Sequence, residues 1–224
     1  MALILDSYGA ALLAFVLFAL LHSLGAHEPL KQALARWSSP FWVDHFWRLV
    51  YCSLSFGALY GGVSTLLWGR HSDGDVWLLN YPDWLWQTLT ALLLASIGLV
   101  YAAFLQSDYQ DFLGLAQAWR GLRLLARRAP TPAPVQLFGS QRLVTTGVYA
   151  WVRHPMLAGG LLFLLTSGPS LNNLVYTLMY TGYMLIGGYY EERRLVRIFG
   201  DDYRRYRRRV GAFCPRFRRR QTFT

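Results

Sequence analysis

Two short clusters carry the residue types of a binding or group-transfer site. Arg153-His154-Pro155 ends a polar segment and opens a charge-free one, and Glu191-Glu192 follows directly on that stretch. A guanidinium and an imidazole at a helix start, beside backbone N–H groups without intrahelical partners, suit an anion such as a carboxylate or phosphate. Two adjacent carboxylates can pair with those bases or with a ligand's amine. A third candidate is His22, inside the first apolar run. An ionisable side chain in a membrane segment is a functional candidate by default. Each also has a plainer role: His22 as a packing residue, Arg153 and His154 snorkelling at an interface, and the glutamates offsetting nearby arginines.

These clusters need elements that bring them together. Hydrophobic residues make up 54% of the 224-residue chain and charged ones 15%, against about 25% charged in an ordinary soluble domain. The net charge is nevertheless +10, so the apolar and basic parts must occupy different places. Disorder, a disulfide scaffold and a soluble globule are all disfavoured. Cys52, in an apolar run, and Cys214, in a basic tail, make neither a metal set nor a disulfide framework. No metal is expected.

A helix crossing a bilayer needs roughly 20 apolar residues. Charge-free runs cover 8–25, 49–69, 84–107 and 156–190. The last is too long for one crossing, and Gly168-Pro169-Ser170-Leu171-Asn172-Asn173 in its middle reads as a turn. The expected fold is all-α and polytopic, one integral membrane domain with five transmembrane helices over 1–224. Three membrane helices fall within 1–107, a cytoplasmic connector within 108–155, a hairpin within 156–190 and a basic cytoplasmic tail within 191–224. The hairpin limbs are unequal, since 171–190 makes about 30 Å of helix and 155–168 only about 21 Å. Pro155, a favoured first helical residue, should sink the start of the short limb into the interface. The first run lacks the basic n-region and cleavage site of a signal peptide.

Lys and Arg divide 21 to one between the two sets of alternate loops. The positive-inside rule then puts the N-terminus outside and the C-terminus in the cytoplasm, and the expected location is a bacterial inner membrane. The basic surplus becomes a cytoplasmic skirt facing anionic lipid. Membrane lipids are therefore the expected partner, and nucleic acid is not, because no binding motif or module-sized polar loop is present. A hairpin returns its ends to one face, which brings Arg153 and His154 near Glu191 and Glu192. Gly61-Gly62 and Gly159-Gly160 read as close helix-packing points. Leu195, Phe199, Tyr203, Tyr206 and Val210 have helical spacing with arginines between. They predict an amphipathic C-terminal helix on the membrane, with Tyr203 and Tyr206 facing inward as part of a lid.

The series Gly147-x-Tyr149-x-x-x-Arg153-His154-Pro155, a charge-free hairpin, Glu191-Glu192-x-x-Leu195, Phe199-Gly200-x-x-Tyr203-x-x-Tyr206 and a late Pro215 carries a family resemblance. Over roughly residues 140–215 the chain resembles the isoprenylcysteine carboxyl methyltransferase-like superfamily of integral membrane methyltransferases. Leu21-His22-Ser23, Arg48-Leu49-Val50-Tyr51 and Asp111-Phe112-Leu113-Gly114-Leu115 are similar to its nurim-like branch, which includes the bacterial methanethiol S-methyltransferases. Met156 stands where the wider superfamily often has Tyr, which makes the prenylcysteine enzymes a poorer match.

The resemblance implies that S-adenosyl-L-methionine is held on the cytosolic face. The implied cofactor-binding residues are Tyr149, Arg153, His154, Pro155, Glu191, Glu192, Tyr203 and Tyr206, and the catalytic candidates are His22 and Glu192. With no Gly-x-Gly-x-x-Gly present, a soluble Rossmann-type enzyme is not the expectation. The expected reaction is methyl transfer to a small apolar thiol such as methanethiol. Alternatives are a prenylated cysteine or lipid acceptor, or a non-catalytic nurim-like membrane protein. Sterol reductases share a similar C-terminal pattern but need more membrane helices than this length supplies. A thiol must lose its proton, because the thiolate is the nucleophile; His22 is the candidate base.

Overall fold

The charge-free runs 8–25, 84–107 and 156–190 are largely helical, apart from the turn at 167–170, in the computed structural model, which describes residues 2–61, 75–127 and 142–216. Residues 62–69 of the second apolar run, Gly62, Arg70, the connector's 128–141 and the tail's 217–224 lie outside the described residues. The chain forms two units, Met1–Val76 with Asp108–Gln141, and Trp77–Ser107 with Arg142–Thr224. Among the described residues the only β pairing is two isolated bridges.

In the first unit α1 (Ala2–Gly25) matches the first apolar run, and α2 (Glu28–Trp37) leaves it at a bend of 71°. The next helix starts earlier than the charge-free criterion predicts. It begins with α3 (Pro40–Trp42), passes through a π-turn (Val43–Trp47) and continues as α4 (Arg48–Gly57). The reason is local: the Ser39 side chain accepts from Phe41 N at 3.3 Å and Pro40 fills the first helical position, a start signal that outweighs Asp44 and His45. Trp47 Nε1 donates to the Gly25 carbonyl at 2.9 Å, tying this helix to the end of α1. A short helix, α6 (Tyr109–Leu113), then leads into α7 (Leu115–Arg127), which packs on the π-turn at His45 and Phe46 through Gly121.

The second unit holds α5 (Asp83–Gln106), α8 (Pro155–Thr166) and α9 (Leu171–Arg209). Gly159 lets α8 lie directly against α5, since a Cβ there would stand 2.6 Å from Val100 Cγ2 and 3.0 Å from the Ser96 carbonyl. That is the close packing the sequence led us to expect at Gly159, whereas a Cβ at Gly61 would meet nothing within 4 Å. The hairpin turn is closed by Asn173, whose Nδ2 donates to the carbonyls of Leu164 (3.1 Å) and Gly168 (2.7 Å). Ser170 caps α9 by accepting from Asn173 N at 3.2 Å.

One expectation changes here. The tail does not start a new helix after residue 190; α9 runs on through Glu191-Glu192-Arg193-Arg194, which are good helix formers, and bends only at Gly200 (φ 55°, ψ −125°). This backbone region is one that essentially only glycine adopts. Of the five expected crossings, length and composition identify a part. Among the described residues one helix, Asp83–Gln106, is long and apolar enough to cross a membrane, or two if the bent pair α1–α2 counts as one span. The short limb α8 has 12 residues, about 18 Å, and the long limb carries Asn172, Asn173 and several tyrosines that lower its hydropathy.

Candidate functional site

The mouth of the α8–α9 hairpin is assembled from the turn before α8, the part of α9 around Glu192, its terminal stretch after Gly200, and a strap at 211–213. Gly147, at φ 59°, opens the 3-10 turn Gly147–Ala150, where a Cβ would run into the Gln106 side chain. Gln106 Oε1 accepts from Val148 N at 3.0 Å, and Tyr149 Oη donates to the Ala103 carbonyl at 3.3 Å. The turn is thereby fixed to the end of α5. The chain next pairs with the strap: Val152 bridges Gly211 in parallel, Arg153 N donates to Gly211 O at 2.8 Å, and His154 N donates to Ala212 O at 3.0 Å. Pro155 follows as the first residue of α8.

Arg153 is buried and its donors are directed inward. Nε donates to Glu192 Oε1 at 2.9 Å, and Nη2 donates to the same oxygen. Nη1 donates to the carbonyls of Arg207 (3.1 Å) and Val210 (2.5 Å) at the end of α9. Those are carbonyls without intrahelical donors, and a cation beside them also suits the helix dipole.

His154 stands between two carboxylates, with Nδ1 3.2 Å from Glu191 Oε2 and Nε2 3.2 Å from Glu192 Oε1. Burial disfavours the charged ring, but the hydrogen bonds and charges of Glu191 and then Glu192 outweigh it and raise its pKa. Glu192 also accepts from Tyr203 Oη at 3.4 Å and lies 3.6 Å from Arg207 Nη1. Burial again opposes its charge, and Arg153 followed by His154 more than offsets this, so the carboxyl is held below its ordinary value.

Tyr206 Oη donates to the Tyr149 carbonyl at 2.6 Å. Burial pushes the Tyr149 and Tyr206 phenols up to about 12, so both remain donors at neutral pH. Tyr203, 1% exposed, is raised by burial and by the charge of Glu192.

Residues 11–194 match the family described as NnrU protein. The chain belongs to this family. Within it, the chain is 35% identical over 209 residues to Methanethiol S-methyltransferase of Pseudomonas deceptionensis, covering 92% of this chain and 72% of the relative. It is 32% identical over 222 residues to Methanethiol S-methyltransferase 2 of Bradyrhizobium diazoefficiens, covering 94% and 74%. A shorter likeness, 37% over 79 residues and 33% of each chain, is to Protein-S-isoprenylcysteine O-methyltransferase of Schizosaccharomyces pombe. No solved structure matches. These findings agree with the resemblance carried by the motifs. The NnrU match runs from α1 through the hairpin and ends just beyond Glu191-Glu192, so it takes in His22 and most of the mouth.

In this NnrU chain the structure brings Tyr149, Arg153, His154, Pro155, Glu191, Glu192, Tyr203 and Tyr206 together in the second unit. Their exposure differs. Glu192 is 18% exposed at its side chain and enclosed by bases, whereas Glu191 is 52% exposed and presents a carboxylate to solvent. His22 belongs to the first unit, where its exposed ring lies beside Phe18 (5.8 Å) and Tyr51 (6.4 Å). Sequence reading missed three contributors: Gln106, Arg207 and the strap at 211–213. Gln106 was visible as a polar residue ending an apolar helix. Arg207 was hidden among neighbouring arginines.

Proposed function

We propose that the chain is a membrane-embedded, S-adenosylmethionine-dependent methyltransferase that S-methylates a small thiol such as methanethiol. The observation that carries the site is His154 held between Glu191 and Glu192 at the start of α8. Relatives named methanethiol S-methyltransferase, matched over most of the chain, support the acceptor. The donor set fits the cofactor: the half-exposed Glu191 carboxylate suits an ammonium, and the first-turn N–H groups of α8 suit a carboxylate. Tyr149, Tyr203 and Tyr206 would wall the site, with Pro155 fixing the helix start. Arg153 and Glu192 would hold the others in place.

When bound, the cofactor supplies an electrophilic methyl group. The protein's part is to align the acceptor sulfur with it and to exclude water. A thiol acceptor must also be deprotonated. Both ring nitrogens of His154 face carboxylates, so this imidazole is held as a donor and is poorly suited to accept a proton. On residue chemistry the role of base goes to His22.

Membrane placement is supported by the apolar α5, by the largely exposed apolar side chains along it, and by the 21-to-one division of basic residues. We place the N-terminus outside and the C-terminus in the cytoplasm, with five crossings, in a bacterial inner membrane. A second reading, a prenylated-cysteine or lipid acceptor, is supported by the Schizosaccharomyces pombe likeness over a third of the chain. Purified protein in detergent, given labelled cofactor with either methanethiol or a prenylcysteine, separates the two. Dimethyl sulfide from methanethiol is the expected product; turnover of prenylcysteine alone would transfer the assignment to the second reading.

A further inference from the structure

The helix α7 has a face that its fold does not use. It packs inward through Ala118 and Gly121, both buried. About a quarter-turn round the helix from that side, Leu115, Trp119 and Leu122 are 45%, 57% and 50% exposed and, at spacings of four and three, form one apolar stripe. Along one flank of that stripe lie Arg120, Arg123 and Arg127, all exposed. Arg120 is paired with Asp111 at 3.3 Å, and the Arg123 guanidinium sits 5.1 Å from the Trp119 ring centre. An apolar stripe of Leu and Trp beside arginines is the pattern of a helix lying in a lipid interface. Tryptophan belongs at headgroup depth, with an apolar body and a polar N–H.

Chain connectivity places this helix near a bilayer. Only residues 107–114 separate α5 from α7, and α6 takes up five of them, so the link reaches no more than about 20 Å. On the proposed topology that end of α5 is cytoplasmic, where the leaflet carries anionic lipid. The charge on the flank of α7 is complementary to it.

We propose that α7 lies in the plane of the cytoplasmic leaflet, with Leu115, Trp119 and Leu122 in the acyl boundary and Arg123 and Arg127 at anionic headgroups. The proposal rests on the membrane placement above and not on the methyl-transfer chemistry. The partner is the lipid surface itself.

Nitroxide labels test this in the full chain, reconstituted in nanodiscs of phosphatidylglycerol and phosphatidylethanolamine. The background is Cys214→Ser, because Cys214 is exposed and Cys52 is buried. Single cysteines replace Leu115, Trp119, Leu122, Arg120, Arg123 and Arg127 in turn, and Leu94→Cys in α5, 62% exposed, serves as the bilayer reference. The oxygen-to-nickel-chelate accessibility ratio should be several-fold higher at 115, 119 and 122 than at 120, 123 and 127. Replacing phosphatidylglycerol by phosphatidylcholine should lower it at 119. Nickel chelate reaching 119 and 122 as readily as 127 would overturn the proposal, as would a stripe closed to both reagents, which would mean that protein covers it. If Leu94 reads lipid while the stripe does not, the membrane placement survives and only the role of α7 fails.

Discussion

Arg153 and Glu192 are 39 residues apart in sequence, and a single guanidinium joins them while also holding the last carbonyls of α9. Their side chains are 7% and 18% exposed. Removing two charges from water costs several kcal/mol per ion, which a well-bonded pair only about recovers. The pair therefore contributes little net stability, but losing one member leaves the other buried and uncompensated.

Arg153→Ala should accordingly destabilise the protein by about 3–5 kcal/mol, the usual cost of breaking a buried pair. Arg153→Lys keeps the charge and loses the fork, so its stability should fall between Ala and wild type. Denaturant unfolding in detergent checks this. An Ala variant as stable as wild type would show that the guanidinium does not organise the mouth.

His154 sets a pH dependence. Its folded pKa lies above the ordinary 6.5, so the stability it contributes is complete below about pH 6.5 and declines as pH rises through the folded value. Glu192 has a folded pKa below its ordinary 4.5; its contribution is present above that value and is lost as pH falls through the folded one. Melting temperature should hold steady from about pH 5 to 6.5 and fall on either side. In His154→Gln the alkaline decline should flatten while the acid one stays. An identical alkaline slope in the variant would show that another group titrates.

Glu191 is the exposed carboxylate of the pair, so Glu191→Gln should fold normally. S-adenosylhomocysteine at 100 times its Kd should stabilise the wild type by about 2.7 kcal/mol. The variant should lose most of that shift. An unchanged shift would remove Glu191 from the ligand site.

His22→Ala should lower turnover of a small thiol by roughly 10²–10⁴-fold, as loss of a general base does, while S-adenosylhomocysteine still raises the melting temperature. Wild-type turnover should climb between about pH 6 and 8, since a free thiol is mostly protonated there. A His22→Ala enzyme of full activity would assign the base elsewhere.

Topology reporters fused at Asp75 and at Thr224 should lie on opposite sides of the membrane. Equal accessibility at both would defeat the five-crossing arrangement.

Much of this site was legible before any coordinates. A charge-free stretch broken by a Gly-Pro-Ser-Leu-Asn-Asn turn has to return on itself, and that alone brings Arg153 and His154 near Glu191 and Glu192. Less legible was the direction in which Arg153 points. Its partners at Arg207 and Val210 are backbone carbonyls, which any residue type supplies, so no side-chain pattern marks them. The early helix start at Pro40 was overlooked for another reason. Counting charges discards Asp44 and His45, whereas the backbone responds to the Ser39-Pro40 start. Likewise, Gly200 looked like part of a motif and proved to be the bend that turns Tyr203 and Tyr206 back toward the mouth.

The hydrogen bond from Arg153 to the Val210 carbonyl closes a loop of 57 residues. In a disordered chain, closing a loop of that length costs on the order of 3.6 kcal/mol before any constant term. The hairpin removes most of this cost in advance, because once its two limbs are side by side only the short terminal stretch has to fold over. Assembly of the mouth is therefore conditional on the limbs being paired, and it reports on them. A detergent that lets α8 and α9 drift apart would leave helical content almost intact while abolishing ligand binding, so extraction conditions are better ranked by ligand-induced stabilisation than by circular dichroism.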